Sequence, residues 1–227
     1  MLYALGDPVS LVLLLLSFVV AVTLHGWVQC LVASRSGLRG PAAEGRTRPD
    51  PRRHVDPFGA VSAAIAGIGW AKPVDPPDRR NRGALLRVLL SGAVANVVVG
   101  LGALALLPLL TSSVGSLVTF LGPSRLLQSG IEGDLAARAL LFLGLANLMT
   151  GLLSLVPIPP LDGGRLLFGL APRSPGWQKA EYQLDERNIG VAVLLALMLI
   201  PLGGPQALLP TILDTLAGPL VRLVTGA

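Results

Sequence analysis

The chain has 227 residues, of which 52% are hydrophobic and 14% are charged, whereas about 25% of the residues of a soluble domain are charged. This deficit of charge excludes an ordinary soluble domain and indicates an integral membrane protein. The net charge is +5. Because Lys and Arg concentrate in the cytoplasmic loops of membrane proteins, we attribute the excess to topology and expect no nucleic-acid partner.

The first predicted membrane span covers about residues 9–33. It lacks a basic start and a clear cleavage site, so we interpret it as a retained helix rather than a signal peptide. A Pro- and Gly-rich loop follows, with arginines at positions 35, 39, 46, 48, 52 and 53. These charges predict that the loop is cytoplasmic.

Residues 58–70 form a short apolar segment between this loop and a second basic loop. A helix needs about 20 residues to cross a bilayer, so this segment is too short. Because both flanking loops are predicted on the same side, we expect a re-entrant segment or a hairpin. Irregular backbone at membrane depth must be shielded or line a cavity, and the segment is therefore a candidate wall of a buried site.

Two further spans are predicted at about residues 84–110 and 136–156, joined by an extracytoplasmic segment. Gly92, Asn96 and Gly100 recur at four-residue spacing, which allows close contact between helices. Asn96 is interpreted as an interhelical hydrogen-bonding residue. Two short apolar stretches within residues 189–223 are predicted to pair, with their topology left open. The whole chain, 1–227, is predicted to be one polytopic membrane domain with an all-α fold.

Two ionisable residues are candidates for chemistry. His25 lies inside the first span, where an ionisable residue is a functional candidate by default. Asp162 follows three closely spaced prolines, at 157, 159 and 160, and precedes Gly163 and Gly164, a pattern that predicts a broken helix and a stiff turn. Both residues are expected at one depth. On these residues alone, a packing histidine and a turn-forming aspartate remain open alternatives.

Several sequence blocks resemble the site-2 proteases, which are intramembrane zinc metalloproteases. Residues 157–165, PIPPLDGGR, are similar to the end of the family's Asn-x-x-Pro-x-Pro-x-x-Asp-Gly motif. Residues 52–59, RRHVDPFG, resemble its His-Ile-Asp-Pro-x-Gly stretch, and residues 69–74, GWAKPV, match its Gly-Trp-Ala-Lys-Pro-Val stretch. Residues 91–96, SGAVAN, resemble its Ala-Gly-Pro-x-x-Asn helix. The blocks occur in the family's order.

The resemblance implies a zinc site in which His25 corresponds to the first histidine of His-Glu-x-x-His and Asp162 to the distant third ligand. It also implies a groove for a transmembrane segment, to which we assign Gly69, Trp70, Lys72, Pro73 and Asn96.

Three positions depart from the family's pattern. Gly26 stands at the position of the general base, Gln29 at the second zinc histidine, and Ser154 at the asparagine implied to stabilise the oxyanion. Cys30 is a possible substitute ligand, but on a regular helix it points about 140° away from His25. His54 is interpreted as a structural contact beside the short segment.

These departures predict a catalytically impaired membrane protein, in a bacterial plasma membrane, that keeps His25 and Asp162 as vestigial ligands. It is expected to hold no cofactor and to bind transmembrane segments of partner proteins without cleaving them. The alternative is an active zinc metalloprotease that uses His25, Asp162 and an unexpected third ligand. A channel or transporter is disfavoured, because the other spans contain few ionisable residues.

Overall fold

The structure is a computed structural model that describes residues 7–111, 120–129, 133–201 and 206–226. Helices make up the fold, and within these ranges the only β-type pairing is a single bridge between Val55 and Ala71. The helices in chain order are α1 Pro8–Arg35, α2 Gly40–Ala43, α3 Pro51–His54, α4 Pro57–Ala66, α5 Arg82–Leu106, α6 Pro123–Ser129, α7 Leu135–Ser154, α8 Asp162–Leu170, α9 Pro175–Glu181, α10 Ile189–Leu199 and α11 Leu208–Thr225. A 3-10 turn, Leu107–Leu109, extends α5, and a π-helical turn, Tyr182–Glu186, follows α9.

Four of the described helices are long and apolar enough to cross a membrane: Pro8–Arg35, Arg82–Leu109, Leu135–Ser154 and Leu208–Thr225. Large apolar side chains remain exposed along them, including Leu16 on α1 and Val98 on α5. Exposed apolar faces of this length are what lipid would cover. The predicted class, an all-α multi-pass membrane protein, is confirmed.

The centre of the fold is the packing of α1, α5 and α7. Gly100 lies so close to α7 that a methyl group on it would come within 2.6 Å of the Leu148 backbone nitrogen. Gly92, two turns earlier on α5, faces α1 instead. The predicted small-residue face of α5 therefore contacts both α1 and α7, because its glycines lack side chains that would keep these helices apart.

The predicted hairpin is present after α3. Asp56 caps α4 by accepting a hydrogen bond from the Gly59 backbone at 2.8 Å, and the chain then returns in an extended conformation. The backbone nitrogen of Lys72 donates to the His54 carbonyl at 2.7 Å, beside the Val55–Ala71 bridge. The two ends of the segment are thus joined, and α4, at ten residues, is too short to span a bilayer.

The C-terminal apolar stretches form α10 and α11. Of the two, only α11 is long enough to cross a membrane. It is anchored to α6 by Asp214, which accepts hydrogen bonds from the Ser124 backbone at 2.7 Å and the Ser124 hydroxyl at 2.5 Å. These hydrogen bonds hold the first half of α11 against α6.

Candidate functional site

Asp162 is buried at the first position of α8, which packs against the C-terminal end of α7. Asp162, Gly163 and Gly164 form the first turn of α8, so the predicted Asp-Gly-Gly turn is wrong. A methyl group on Gly163 would collide with the backbone of Leu155, and one on Gly164 with the backbone of Pro159. The two glycines therefore let α8 pack against the proline turn and direct Asp162 toward α1.

A buried polar cluster joins α1 to α8. His25 Nε2 lies 2.7 Å from one carboxylate oxygen of Asp162, and Gln29 Nε2 donates to the other oxygen at 2.7 Å. The exposed fractions of His25, Gln29 and Asp162 are 4%, 1% and 5%. Both oxygens of the carboxylate are therefore engaged, and each contact is a short, charge-assisted hydrogen bond of the kind that buried carboxylates require.

The predicted contact between His25 and Asp162 is present, whereas the role of Gln29 is one that the sequence did not reveal. The sequence resemblance places Gln29 only at the position of the second zinc histidine. Next to a carboxylate, its amide must present the NH₂ group, because an ionised carboxylate only accepts hydrogen bonds. Its oxygen therefore faces away from Asp162.

The side chains around Asp162 do not fit a catalytic zinc site, which needs three protein ligands and an open position for water. The His25 and Asp162 atoms are 2.7 Å apart, in direct contact. In the described part of the chain, no three His, Cys, Asp or Glu side chains come together as a metal site.

Gly26 lies against His54. A methyl group on Gly26 would be 2.6 Å from His54 Nδ1, so the imidazole occupies the space that a longer residue at position 26 would need. His54 is fully buried, and its Nε2 donates to the Arg48 carbonyl at 3.0 Å. Burial lowers the pKa of His54 below its ordinary value, against the opposing effect of that hydrogen bond. The ring is therefore neutral at pH 7.

A narrow cavity of about 10 Å³ opens beside the cluster, with room for about one water molecule. Trp70, Lys72 and Pro73 line it together with Ser154. The Ser154 hydroxyl donates to the Gly151 carbonyl of its own helix at 2.8 Å. Three of the five groove residues that the resemblance implied are thus beside the polar cluster.

The other two groove residues, Gly69 and Asn96, do not line this cavity. Gly69 packs against the backbone of Gly59, which closes the hairpin. Asn96 is fully buried near Gly151, and neither atom of its amide has a hydrogen-bond partner within the described residues. The interhelical hydrogen bond expected of Asn96 is therefore not seen within the described residues.

Two arginines that the sequence did not single out hold the extended segment after the hairpin. Arg46 donates to the carbonyls of Lys72, at 2.7 Å, and Pro73, at 2.9 Å. Arg165 donates to the Val74 carbonyl at 2.8 Å. The local sequence around an arginine does not reveal its carbonyl partners, because those partners are set by the tertiary fold.

Cys30 is buried in a different environment from the polar cluster. It packs with Ala33, Val74 and Val88 in a small apolar cluster. This position agrees with the expected angle of about 140° between residues five apart on a helix. The structure gives no support to Cys30 as a third ligand.

Comparison with known proteins provides one relative with substantial similarity. The chain is 31% identical, over 202 residues, to the putative zinc metalloprotease YwhC of Bacillus subtilis, and the match covers 86% of this chain and 84% of the relative. No family model and no solved structure matches the chain. The aligned region includes most of the helices described above, so the similarity extends well beyond short motifs.

Proposed function

This chain belongs to the family of the putative zinc metalloprotease YwhC, and from that premise we propose that it is a site-2 protease-like protein that no longer cleaves its partners. In this proposal it holds no zinc and binds transmembrane segments of other membrane proteins. Its basic loops support placement in a bacterial plasma membrane with those loops in the cytoplasm.

The observation that carries the proposal is the state of Asp162. A catalytic zinc site needs three protein ligands, but here the two carboxylate oxygens accept hydrogen bonds from His25 and Gln29. Within the described residues, no third His, Cys, Asp or Glu side chain joins His25 and Asp162. His25 offers its Nε2 to the same carboxylate rather than to an open position. The polar groups that would bind zinc in a protease satisfy one another instead.

Loss of the general base supports the same proposal. Gly26 has no side chain that could accept a proton from an attacking water, and His54 fills the adjacent space. Removal of a general base alone typically lowers a rate by about 100- to 10,000-fold. Without a third metal ligand, activation of water by a metal is lost as well.

The surface beside the cluster supports binding of a helix. On α4, Phe58, Val61 and Ile65 are exposed, and their spacing places them on one helix face. A different face of α4 carries Gly59, which packs on the backbone of Trp70, a residue that lines the cavity. In our proposal, a transmembrane helix of a partner protein packs on this exposed apolar stripe in place of lipid.

The proposal is tested in proteoliposomes with a fluorescent single-span helix of about 20 Leu and Ala residues as the probe. Energy transfer is measured from a donor on Val61→Cys and, as the control, from a donor on Val98→Cys, both in a Cys30→Ala background. We expect stronger transfer from α4 than from α5, reduced by Phe58→Ser, and an intact probe throughout. Cleavage of the probe that His25→Ala abolishes would instead establish the alternative, an active zinc protease.

A further inference from the structure

A second cavity, of about 300 Å³, lies where α5 begins and α8 ends. Its volume is at the lower end of the range of small-molecule sites, about 300–1,000 Å³. Its charged side chains are all arginines: Arg79, Arg80, Arg82 and Arg173. The cavity exists because Gly169 of α8 packs on Leu85 in the first turn of α5, which brings the two chain segments together.

Three of these four arginines have no acidic partner. Arg79 is paired with Glu181, and the nearby Arg165 lies 3.5 Å from Asp185. The carboxylate of Asp78 also lies nearby, where it accepts a hydrogen bond from the Arg80 backbone at 2.9 Å. Arg80, Arg82 and Arg173 are exposed, and no ion pair to any of them occurs within the described residues. Because its lining contains four arginines and no acidic residue, the cavity carries a net positive charge.

The chemistry of guanidinium groups selects the ligand class. Arginine presents its N–H groups in a planar fork that binds phosphate oxygens in pairs. The first turn of α5 adds the positive end of a 25-residue helix, and that turn contains no acidic residue that would neutralise it. Both features favour a phosphate-bearing anion.

The position of the cavity selects the source of the phosphate. Arg82 is the first residue of a helix that is long and apolar enough to cross the membrane. Exposed leucines lie within about one turn of the arginines, Leu86 on α5 and Leu167 and Leu170 on α8. A basic cavity bordered by exposed apolar side chains at the end of a span matches an amphiphile, with its headgroup in the cavity and its acyl chains along the leucines.

We propose that this cavity binds the phosphate headgroup of an anionic glycerophospholipid. The inference is independent of the proposed function, because none of its residues belongs to the polar cluster or to α4. Each arginine near an anionic lipid is worth about fivefold in affinity. Replacement of all three unpaired arginines is expected to weaken binding by roughly 100-fold.

The test is a lipid titration of the full-length, detergent-purified chain by native mass spectrometry. Dihexanoyl phosphatidylglycerol is compared with dihexanoyl phosphatidylcholine and with inorganic phosphate. The test variant carries Arg80→Gln, Arg82→Gln and Arg173→Gln. The control carries Arg35→Gln, Arg48→Gln and Arg52→Gln, which remove the same charge from other exposed and unpaired arginines of the described chain. The single variant Arg82→Gln is measured in parallel, in case the triple variant does not fold.

We expect phosphatidylglycerol to bind more tightly than either comparison ligand, with the loss of affinity confined to the test variant and about fivefold for Arg82→Gln. Equal losses in the two triple variants would overturn the proposal in favour of diffuse surface charge. Equal affinity for the two lipids would also overturn it. Inorganic phosphate that binds as tightly as the lipid would assign the cavity to a soluble anion instead.

Discussion

At the scale of single residues, the carboxylate of Asp162 is the centre of the buried polar cluster, and its two hydrogen bonds decide how the site is understood. A carboxylate in a low-dielectric interior is costly unless each oxygen has a donor. Gln29 supplies the second donor, at 2.7 Å. The glutamine is therefore a structural residue of the cluster.

Replacement of Gln29 is expected to destabilise the fold. Gln29→Leu leaves one oxygen of a buried carboxylate without a donor, so we expect a loss of about 1.5–3 kcal/mol in the free energy of unfolding. Gln128→Leu is the matched control, because Gln128 donates to the neutral Ala66 carbonyl, a bond worth about 0.5–1.5 kcal/mol. Unfolding in detergent is the measurement. Equal losses in the two variants would contradict the charge-assisted role of Gln29.

His54 gives the fold a pH dependence outside the membrane spans. Its pKa is lowered by burial, so the unfolded chain binds more protons than the folded chain below the ordinary histidine pKa of about 6.5. Stability is therefore complete above pH 6.5 and falls as the pH decreases below it. We expect the melting temperature to fall between pH 7.5 and 5.5, and part of that decrease to vanish in His54→Phe. An unchanged pH profile in the variant would contradict this assignment.

The sequence predicted the contact of His25 with Asp162 but not the neighbours that fix it. The two residues stood out because ionisable groups in apolar spans are rare. The contact of His54 with Gly26 gave no such signal, since it depends on how α3 packs on α1. Likewise, the resemblance placed Asn96 in a groove, whereas the structure buries it between helices.

At the scale of helices, α5 is the element that holds the polar cluster in place. A methyl group on Gly92 would lie 2.6 Å from His25 Nε2, so the backbone of α5 forms one side of the imidazole's pocket. The four-residue spacing of small residues predicted a close contact. It did not predict that the contact would be with a side chain of α1, because spacing defines a face but not its partner.

Gly92→Ala is expected to displace His25 and to cost about 1–3 kcal/mol of stability through overpacking. Gly102→Ala on the same helix is the control, because nothing lies within 4 Å of its added methyl group and alanine favours a helix by up to about 1 kcal/mol. Thermal unfolding compares the two. The cost of Gly92→Ala should shrink in a His25→Ala background; an undiminished cost would rule out the contact with His25 as its cause.

At the scale of the whole molecule, the ion pairs indicate the orientation of the core helices. Arg138, in the first turn of α7, pairs with Asp7 at the start of α1 and donates to Ser10 at 2.7 Å. Helices α1 and α7 therefore begin on one side, and α5 begins on the other, beside the basic loops. The class of fold was predictable from hydropathy alone. The arrangement of α10 and α11 was not, because their short apolar stretches carry no charge asymmetry.

This arrangement is expected to place the basic loops in the cytoplasm. Single cysteines in a Cys30→Ala background test it in spheroplasts treated with a membrane-impermeant maleimide. Leu135→Cys, at the start of α7, should be labelled in intact spheroplasts, and Arg52→Cys only after permeabilisation. The reverse pattern would invert the topology.

We propose that this chain is a member of its family without the zinc site, and zinc content tests this proposal most directly. Elemental mass spectrometry is applied to the natural chain, to Gln29→His, which adds the missing third ligand, and to Gln128→His, which adds a histidine elsewhere. We predict no zinc above background in the natural chain and in Gln128→His, and about one zinc per chain in Gln29→His that His25→Ala removes. One zinc per natural chain, lost on His25→Ala or Asp162→Ala, would contradict the account and establish an active-type metal site.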